Sequence, residues 1–107
     1  MQSDIWGTHL WEFLHTMCHD YPLKPTDEHK KTFKMFIASL TTLLPCCICR
    51  KSFTLFYNNI PIDAYLNDRQ GVIFWMYIIH NIVNLKLGKR IFHFINAVKK
   101  YEQYRFK

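Results

Sequence analysis

Apolar side chains recur every three to four residues through most of this 107-residue chain, and this spacing restricts its possible folds more than any other feature. Residues 4–20 and 27–44 each carry such a stripe, which is typical of an amphipathic α-helix. No segment of useful length alternates between apolar and polar residues, as a half-buried strand would. The sequence therefore predicts an all-α protein, a four-helix bundle with a short fifth helix.

Prolines, asparagines and capping residues mark the ends of these helices. Tyr21-Pro22 and Pro25 end the first helix, and Thr26 is the expected N-cap of the second. Asn67 and Asp68 are N-cap candidates further on, and Gly88 suits the position just after a helix. The predicted helices cover residues 4–20, Thr26 to Pro45, Cys46 to Asn58, Asn67 to Gly88, and residues 90–104.

Composition favours one ordered domain over residues 1–107. Half of the residues are apolar and 17% are aromatic, with only three glycines. The apolar runs are too short to cross a bilayer, and the first residues lack a secretory or transit pattern. The net charge is +6, but no nucleic-acid-binding motif is present, so we predict no nucleic-acid partner.

Cys46 and Cys49 form a Cys-x-x-Cys pair at the expected start of the third helix. Unpaired backbone N–H groups and the positive end of the helix dipole stabilise a thiolate at such a position. The neighbouring Arg50 and Lys51 favour it as well. We therefore expect a thiol of depressed pKa and dithiol–disulfide chemistry.

The other two cysteines do not complete a disulfide scaffold. Cys46, Cys47 and Cys49 crowd together, while Cys18 stands alone, and bridging geometry cannot pair them all. Cys47 is interpreted as a spectator thiol, and Cys18 as a buried free thiol. His9, His19, His29 and His93 are interpreted as surface or packing residues.

A second polar group lies near the end of the fourth predicted helix. His80 and Asn84 share one helix face and Asn81 is adjacent, which is unusual on a buried face unless these side chains form hydrogen bonds. Lys86 and Lys89 follow directly. Together these residues favour a polar ligand with a negatively charged part.

Trp11 and His15 share a face of the first predicted helix. Such a pair can stack on a planar ligand ring, or it can simply pack in a core. The two residues by themselves favour core packing.

Taken together, these segments resemble the Erv/ALR family of FAD-linked sulfhydryl oxidases along nearly the whole chain. The Cys-x-x-Cys pair alone is weak evidence, but it becomes specific when joined to the His-Asn-x-Val-Asn segment. The matching residues are Trp11-x-x-Leu14-His15-Thr16-Met17, Tyr21-Pro22, Pro45-Cys46-x-x-Cys49 with Phe53, Arg69, Trp75 and His80-Asn81-x-Val83-Asn84-x-Lys86-Leu87-Gly88-Lys89.

The resemblance implies a helical bundle that holds FAD noncovalently at its mouth. It implies that Cys49 is the sulfur next to the flavin and that Cys46 meets the substrate thiol. The residues at implied cofactor-binding positions are Gly7, Thr8, Trp11, His15, Cys49, His80, Asn81, Asn84, Lys86, Lys89 and Tyr101.

The implied reaction is oxidation of a protein dithiol with transfer of two electrons to FAD and then to dioxygen, giving hydrogen peroxide. The implied partners are a thiol-containing protein or a small thiol shuttle protein, dioxygen, and a second copy of the chain. The compact form is most similar to the minimal oxidases of large DNA viruses, which suggests host cytoplasm or virion, with the mitochondrial intermembrane space as the alternative.

Three positions depart from the family pattern. Thr8 follows Gly7 where family members often have an arginine. Tyr77 and Phe94 stand where many cellular members carry a structural disulfide, so aromatic packing is expected to replace that bridge.

Two other functions use the same cysteines. A small zinc-binding module would need Cys46 and Cys49 with two further ligands such as Cys18 and His15, but no second ligand pair follows at the usual spacing. A thioredoxin-like oxidoreductase would need βαβ strands, which this sequence does not predict.

Overall fold

Five α-helices build the protein, which we describe from a computed structural model over residues 3–106. No strand occurs among these residues, so the all-α prediction is confirmed. Short 3₁₀ turns follow the third and fifth helices at Ile62–Tyr65 and Gln103–Phe106. The helices are α1 (Ser3–His19), α2 (Asp27–Leu43), α3 (Cys47–Asn59), α4 (Arg69–Lys86) and α5 (Phe94–Glu102).

Side-chain caps begin α2 and α4 where the sequence predicts them. The Thr26 hydroxyl accepts a hydrogen bond from the backbone N–H of His29 at 3.1 Å. The Asp68 carboxylate accepts one from the N–H of Gly71 at 2.7 Å. Both caps satisfy N–H groups that have no partner inside the helix, and they fix where each helix starts.

Gly88 ends α4 in the left-handed conformation, with φ of 71°. This geometry lets the N–H of Lys89 reach the carbonyl of Asn84 at 2.8 Å and the N–H of Gly88 reach that of Leu85 at 3.2 Å. This pair of bonds is a Schellman motif, which a glycine adopts without steric cost. This motif reverses the direction of the chain after α4.

The fifth helix is shorter than the sequence predicts, because residues 90–93 are not helical. The Asn81 side chain accepts a hydrogen bond from the N–H of Phe92 at 3.2 Å. Its amide also donates to the Phe92 carbonyl at 3.1 Å. Since one side chain occupies both backbone groups of Phe92, this segment lies extended against α4, and α5 begins at Phe94.

The core lies between two helix pairs, α1 with α4 and α2 with α3. Trp75 of α4 is its largest fully buried side chain, and its indole N–H donates to the Ile60 carbonyl at 2.8 Å. The ring packs edge-on against Tyr57 of α3. Among residues 3–106 no helix has the length and apolar character needed to cross a membrane.

The C-terminal segment is fastened to the end of α1 by a charged cluster. The Glu102 carboxylate contacts the His19 imidazole and accepts two hydrogen bonds from the Arg105 guanidinium, each of 2.8 Å. Arg105 also donates to the His19 carbonyl at 2.6 Å. His19, which the sequence suggests is a surface or packing residue, is therefore a buried anchor for α5.

Gly71 gives a test of how closely α4 approaches the preceding 3₁₀ turn. A Cβ atom there would lie 2.2 Å from the carbonyl oxygen of Tyr65, so the backbone must shift. We expect Gly71→Ala to lower the free energy of unfolding by about 1–3 kcal/mol, as overpacking does. Urea unfolding followed by circular dichroism measures this change.

Gly7→Ala is the matched control, since its added Cβ meets nothing closer than 3.9 Å. In a helix interior this change should stabilise by about 0.5–1 kcal/mol. If Gly71→Ala and Gly7→Ala changed the free energy of unfolding equally, the close approach of Gly71 to the Tyr65 carbonyl would not restrict the residue at position 71.

Candidate functional site

Cys46 is the N-cap of α3, as its position after Pro45 leads one to expect. Its sulfur accepts a hydrogen bond from the backbone N–H of Cys49 at 3.2 Å. Its carbonyl accepts the first backbone bond of the helix, from Arg50 at 2.9 Å. The Cys-x-x-Cys pair therefore spans the first turn of α3, where backbone N–H groups stabilise negative charge on sulfur.

The two sulfurs of this pair differ in acidity. A hydrogen bond from the Cys49 thiol, followed by the backbone N–H of Cys49, lowers the pKa of Cys46. Burial, followed by the hydrogen bond to Cys46 and its charge, raises the pKa of Cys49 to about 11. Of the two sulfurs, Cys46 therefore loses its proton more readily.

Arg50, one of the two cations next to Cys49, contacts the end of α2. The Arg50 guanidinium donates to the backbone carbonyl of Leu44, so it is committed to the end of α2. Neither Arg50 nor Lys51 is among the causes that lower the Cys46 pKa. The hydrogen bonds at the helix start are the main causes of the lowered pKa of Cys46, and a contribution of the two cations stays a prediction.

A cavity of about 380 Å³ opens between α1, α3, α4 and α5. Cys49 lies in its wall, whereas the partly exposed Cys46 is outside it. The structure brings most of the sequence-derived cofactor residues to this one cavity. These are Gly7, Thr8, Trp11, Cys49, His80, Asn84, Lys86, Lys89 and Tyr101.

His15 and Asn81 are the two sequence-derived cofactor residues that do not line this cavity. The Asn81 amide is occupied by the backbone of Phe92. His15 is only 2% exposed and lies behind His80, to which its Nε2 is hydrogen-bonded at 2.8 Å. Both residues support the wall rather than form it.

Aromatic stacking organises the side of the cavity formed by α1, α4 and α5. The ring of Trp11 lies parallel to that of His80, with centroids 3.9 Å apart. The ring of His15 lies parallel to that of Tyr101, with centroids 4.5 Å apart. Phe92 meets His80 edge-on at 4.8 Å. The rings therefore pack against one another along this wall.

Both histidines of this wall are held neutral. Burial, then the neighbouring His80, His19 and Lys100, lower the pKa of His15 to about 3. Burial, then Lys100 and Lys89, lower the pKa of His80 to about 4. At neutral pH the pair therefore carries no charge, and its polar groups act through hydrogen bonds.

Lysines surround the cavity. Lys86 contacts the hydroxyl of Ser52 on α3 and lies 5.9 Å from the centroid of the Phe56 ring. Lys89, just beyond α4, is a second exposed lysine of the lining. Both bring positive charge to the cavity, where an anionic group can bind.

Lys100 is a cavity residue that sequence reasoning missed. Its ammonium group donates to Glu12 of α1 at 2.7 Å and lies 5.1 Å from the Tyr101 ring centroid. Glu12 is 88 residues away in sequence, so no local pattern links the pair. The sequence feature that could have pointed to Lys100 as a cavity residue is its position directly before Tyr101.

Aromatic packing occupies the positions of the disulfide that the chain lacks. The rings of Tyr77 and Phe94 meet edge-to-face with centroids 5.1 Å apart, and Phe74 contacts both. This cluster joins α4 to the start of α5, as the resemblance leads one to expect. It holds the C-terminal segment through apolar contact instead of a covalent bond.

Cys18 and Cys47 match their sequence interpretation, and the residues suggested for a zinc site are not brought together. Cys18 is a fully buried free thiol whose pKa is raised by burial, and Cys47 is free and exposed. Within residues 3–106 no three His, Cys, Asp or Glu side chains are grouped to hold a metal ion. Cys46, Cys49, Cys18 and His15 therefore do not form a zinc site in this fold.

A sequence profile described as the Erv1 / Alr family matches residues 8–105. The chain belongs to this family. Its sequence is 33% identical over 104 residues to a probable FAD-linked sulfhydryl oxidase of Acanthamoeba polyphaga mimivirus, covering 96% of this chain and 73% of that one. It is 35% identical over 86 residues to a FAD-linked sulfhydryl oxidase of Arabidopsis thaliana, covering 80% of this chain but only 44% of the plant protein.

Solved structures of the family agree with this fold. The FAD-binding domain of Erv1 from Saccharomyces cerevisiae superposes with a TM-score of 0.90 at 29% identity, covering 96% of each chain. The helical architecture and the order of its elements are therefore those of that domain.

The buried histidine pair predicts how the stability of the protein depends on pH. In the folded state the pKa values of His15 and His80 are about 3 and about 4, below the ordinary 6.5. As the pH falls below 6.5, the unfolded chain therefore takes up protons that the folded chain does not. The free energy of unfolding should fall by up to about 1.4 kcal/mol per pH unit for each histidine.

Urea unfolding between pH 5 and pH 7 measures this slope. The window lies above the ordinary pKa of 4.5 of Glu102, whose carboxyl pKa is lowered to about 2 by Arg105 and His19. His15→Gln should show a shallower slope, while His9→Gln, at an exposed position of α1, should keep that of the wild type. An unchanged slope in His15→Gln would contradict the assignment of His15 as a buried neutral group.

Proposed function

We propose that this protein is a FAD-dependent sulfhydryl oxidase, which forms disulfides in protein dithiols and passes the electrons to dioxygen. The observation that carries the proposal is the position of Cys49. It lies in the wall of a ligand-sized cavity, one helical turn from the accessible and more acidic Cys46. A dithiol that joins an exposed surface to an internal cavity suits electron transfer from a thiol substrate to a cofactor.

The residues around the cavity fit FAD in chemistry. The volume of about 380 Å³ falls in the range of about 300–1,000 Å³ that small-molecule sites occupy. Trp11 and Tyr101 supply aromatic surface for ring systems, and Lys86 and Lys89 supply positive charge for phosphates. His80 supplies a polar group beside them. When bound, FAD supplies a two-electron acceptor that is reoxidised by dioxygen, with hydrogen peroxide as the product.

Thiol–disulfide exchange at Cys46 starts the reaction in this proposal. A substrate thiolate attacks the Cys46 sulfur of the Cys46–Cys49 disulfide, so a substrate–Cys46 bond forms and the Cys46–Cys49 bond breaks. The electron pair of the broken bond stays on Cys49, inside the cavity wall. The second substrate thiol, as thiolate, then attacks the substrate sulfur of the mixed disulfide, which forms the substrate disulfide and releases the Cys46 thiolate.

The pKa values of the two sulfurs suit these steps. A thiol of low pKa is the better leaving group, so the lowered pKa of Cys46 favours its release from the mixed disulfide. Burial is the largest cause of the raised Cys49 pKa, and the hydrogen bond and charge of Cys46 raise it further. Only the contribution of Cys46 is removed when Cys46 is bound to substrate.

A serine substitution at Cys49 tests the proposed electron path. Wild-type protein should purify with the yellow absorption of oxidised flavin and consume oxygen when given a dithiol. Cys49→Ser should keep the flavin, because one sulfur in a large cavity wall contributes little to binding, but its oxygen consumption should fall to the buffer rate. Cys47→Ser is the matched control at an exposed neighbouring position and should retain wild-type turnover.

The same variant identifies the substrate protein. In Cys49→Ser, the Cys46 thiolate can attack the disulfide of an oxidised partner, which forms a mixed disulfide and releases the second partner sulfur as a thiol. Because no Cys49 is present to displace the partner, Cys49→Ser incubated with oxidised protein should accumulate mixed disulfides with a thiol-containing protein or a small thiol shuttle protein. Cys46→Ser should accumulate none. Near-normal oxidase activity in Cys49→Ser, or a colourless protein that holds zinc, would refute the proposal.

The proposal includes a homodimer, which the family resemblance implies. Phe13 of α1 and Phe36 of α2 meet edge-to-face with centroids 6.2 Å apart, although they are 55% and 38% exposed. An exposed aromatic pair across two helices is a surface that a second copy would cover. Sedimentation equilibrium should therefore give the mass of two chains, and Phe13→Asp should give that of one; a monomeric wild type would contradict the dimer.

A further inference from the structure

Two exposed aliphatic side chains lie close to Cys46 in the chain. Ile48 is 71% exposed and Leu43 is 70% exposed. Among residues 3–106 only one other large apolar side chain, that of Ile5, is more exposed. Single apolar side chains scattered over a surface need no explanation, but these two lie within three residues of one reactive sulfur.

Ile48 is held beside the Cys46 sulfur by the first turn of α3. Hydrogen bonds from the thiol and the N–H of Cys49, and then one from the N–H of Ile48, lower the pKa of Cys46. The Ile48 backbone therefore lies close to that sulfur. Its side chain also borders the ligand cavity, which Cys46 does not. Ile48 is thus an exposed apolar residue between the outer sulfur and the cavity.

Thiol–disulfide exchange brings the substrate to this place. A disulfide joins Cα atoms about 4.4–6.8 Å apart, and consecutive Cα atoms are about 3.8 Å apart. When a substrate cysteine is bound to Cys46, the residues next to that cysteine therefore have Cα atoms within about 11 Å of the Cα of Cys46. A substrate that reacts with Cys46 must cover the side chains exposed around it.

We infer that Ile48, together with Leu43, forms an apolar docking surface for protein thiols whose reactive cysteine has apolar neighbours. The inference rests on the proposed oxidase function and names a substrate class for it. Contact between aliphatic side chains removes apolar area from water, which favours such a substrate over one with polar neighbours. Ile48 is then a specificity-determining residue, while Cys46 remains the reacting one.

An acidic substrate is the other chemistry to which this surface could bind. Lys51 is exposed on α3 and lies one turn after Ile48. Arg50, in contrast, donates to the carbonyl of Leu44. Two aliphatic side chains lie nearer in the chain to Cys46 than this one exposed cation, so the observations favour the apolar class.

Three peptides of equal length test the inference on protein with bound FAD. Each contains one Cys-Gly-Gly-Cys dithiol, and the residues on both sides of it are leucine, serine or aspartate. Wild-type protein should oxidise the leucine peptide with a kcat/KM about tenfold above that of the serine peptide, the low end of what an apolar contact contributes to specificity. Oxygen consumption measures these values. Equal values for the two peptides, or the highest value for the aspartate peptide, would overturn the inference.

Substitutions at position 48 locate the preference. Ile48→Ser should reduce the tenfold ratio to about twofold, whereas Ile48→Leu should keep it. Leu55→Ser is the matched control, since it removes a 56% exposed aliphatic side chain from the same helix about two turns further on, and it should keep the ratio as well. Because each ratio compares two substrates of the same protein, a change in FAD content cancels.

These results separate the inference from the oxidase proposal. If wild-type protein oxidises none of the peptides, the oxidase proposal fails and the inference fails with it. If it oxidises them all equally, or if Ile48→Ser keeps the wild-type ratio, the oxidase proposal stands and the inference alone fails. Sedimentation equilibrium of Ile48→Ser should give the wild-type mass, and a changed mass would assign this surface to a second copy of the chain and overturn the inference.

Discussion

The packing of α1 against α4 is the contact on which the rest of the structure depends. At one end it buries Cys18 and Trp75 in the core, and at the other it brings Trp11 and His15 against His80. The same interface thus changes from an apolar core to a polar cavity wall within a few helical turns. Core packing at one end already fixes how α1 and α4 lie against each other. The buried polar groups at the other end replace apolar contact only locally, so the two helices keep their arrangement.

The C-terminal segment completes the cavity, and it is held by contacts of three kinds. Asn81 pairs with the backbone of Phe92, aromatic rings join α4 to α5, and the His19–Glu102–Arg105 cluster ties the end of the chain to α1. Each contact involves residues far apart in sequence or uses the backbone of an extended segment. Together they bring Lys100 and Tyr101 to the same cavity as His80 and Trp11 without a covalent bridge.

The start of α3 explains why two cysteines in one turn differ in chemistry. The N-cap position directs backbone N–H bonds to Cys46 and leaves it partly exposed, while the next turn buries Cys49 in the cavity wall. Helix geometry alone therefore separates an acidic outer thiol from a less acidic inner one.

The sequence by itself determined the helices, their caps, the reactive pair and most of the cavity residues. These features depend on local periodicity, on residues with strong positional preferences such as Thr26, Asp68 and Gly88, and on motifs matched in order along the chain. Local pattern does not specify how polar side chains pair across helices. Only the tertiary structure decided that Asn81 binds the backbone of Phe92, that Lys100 pairs with Glu12, and that His15 lies behind His80, because each of these bonds joins helices whose relative position is set by core packing.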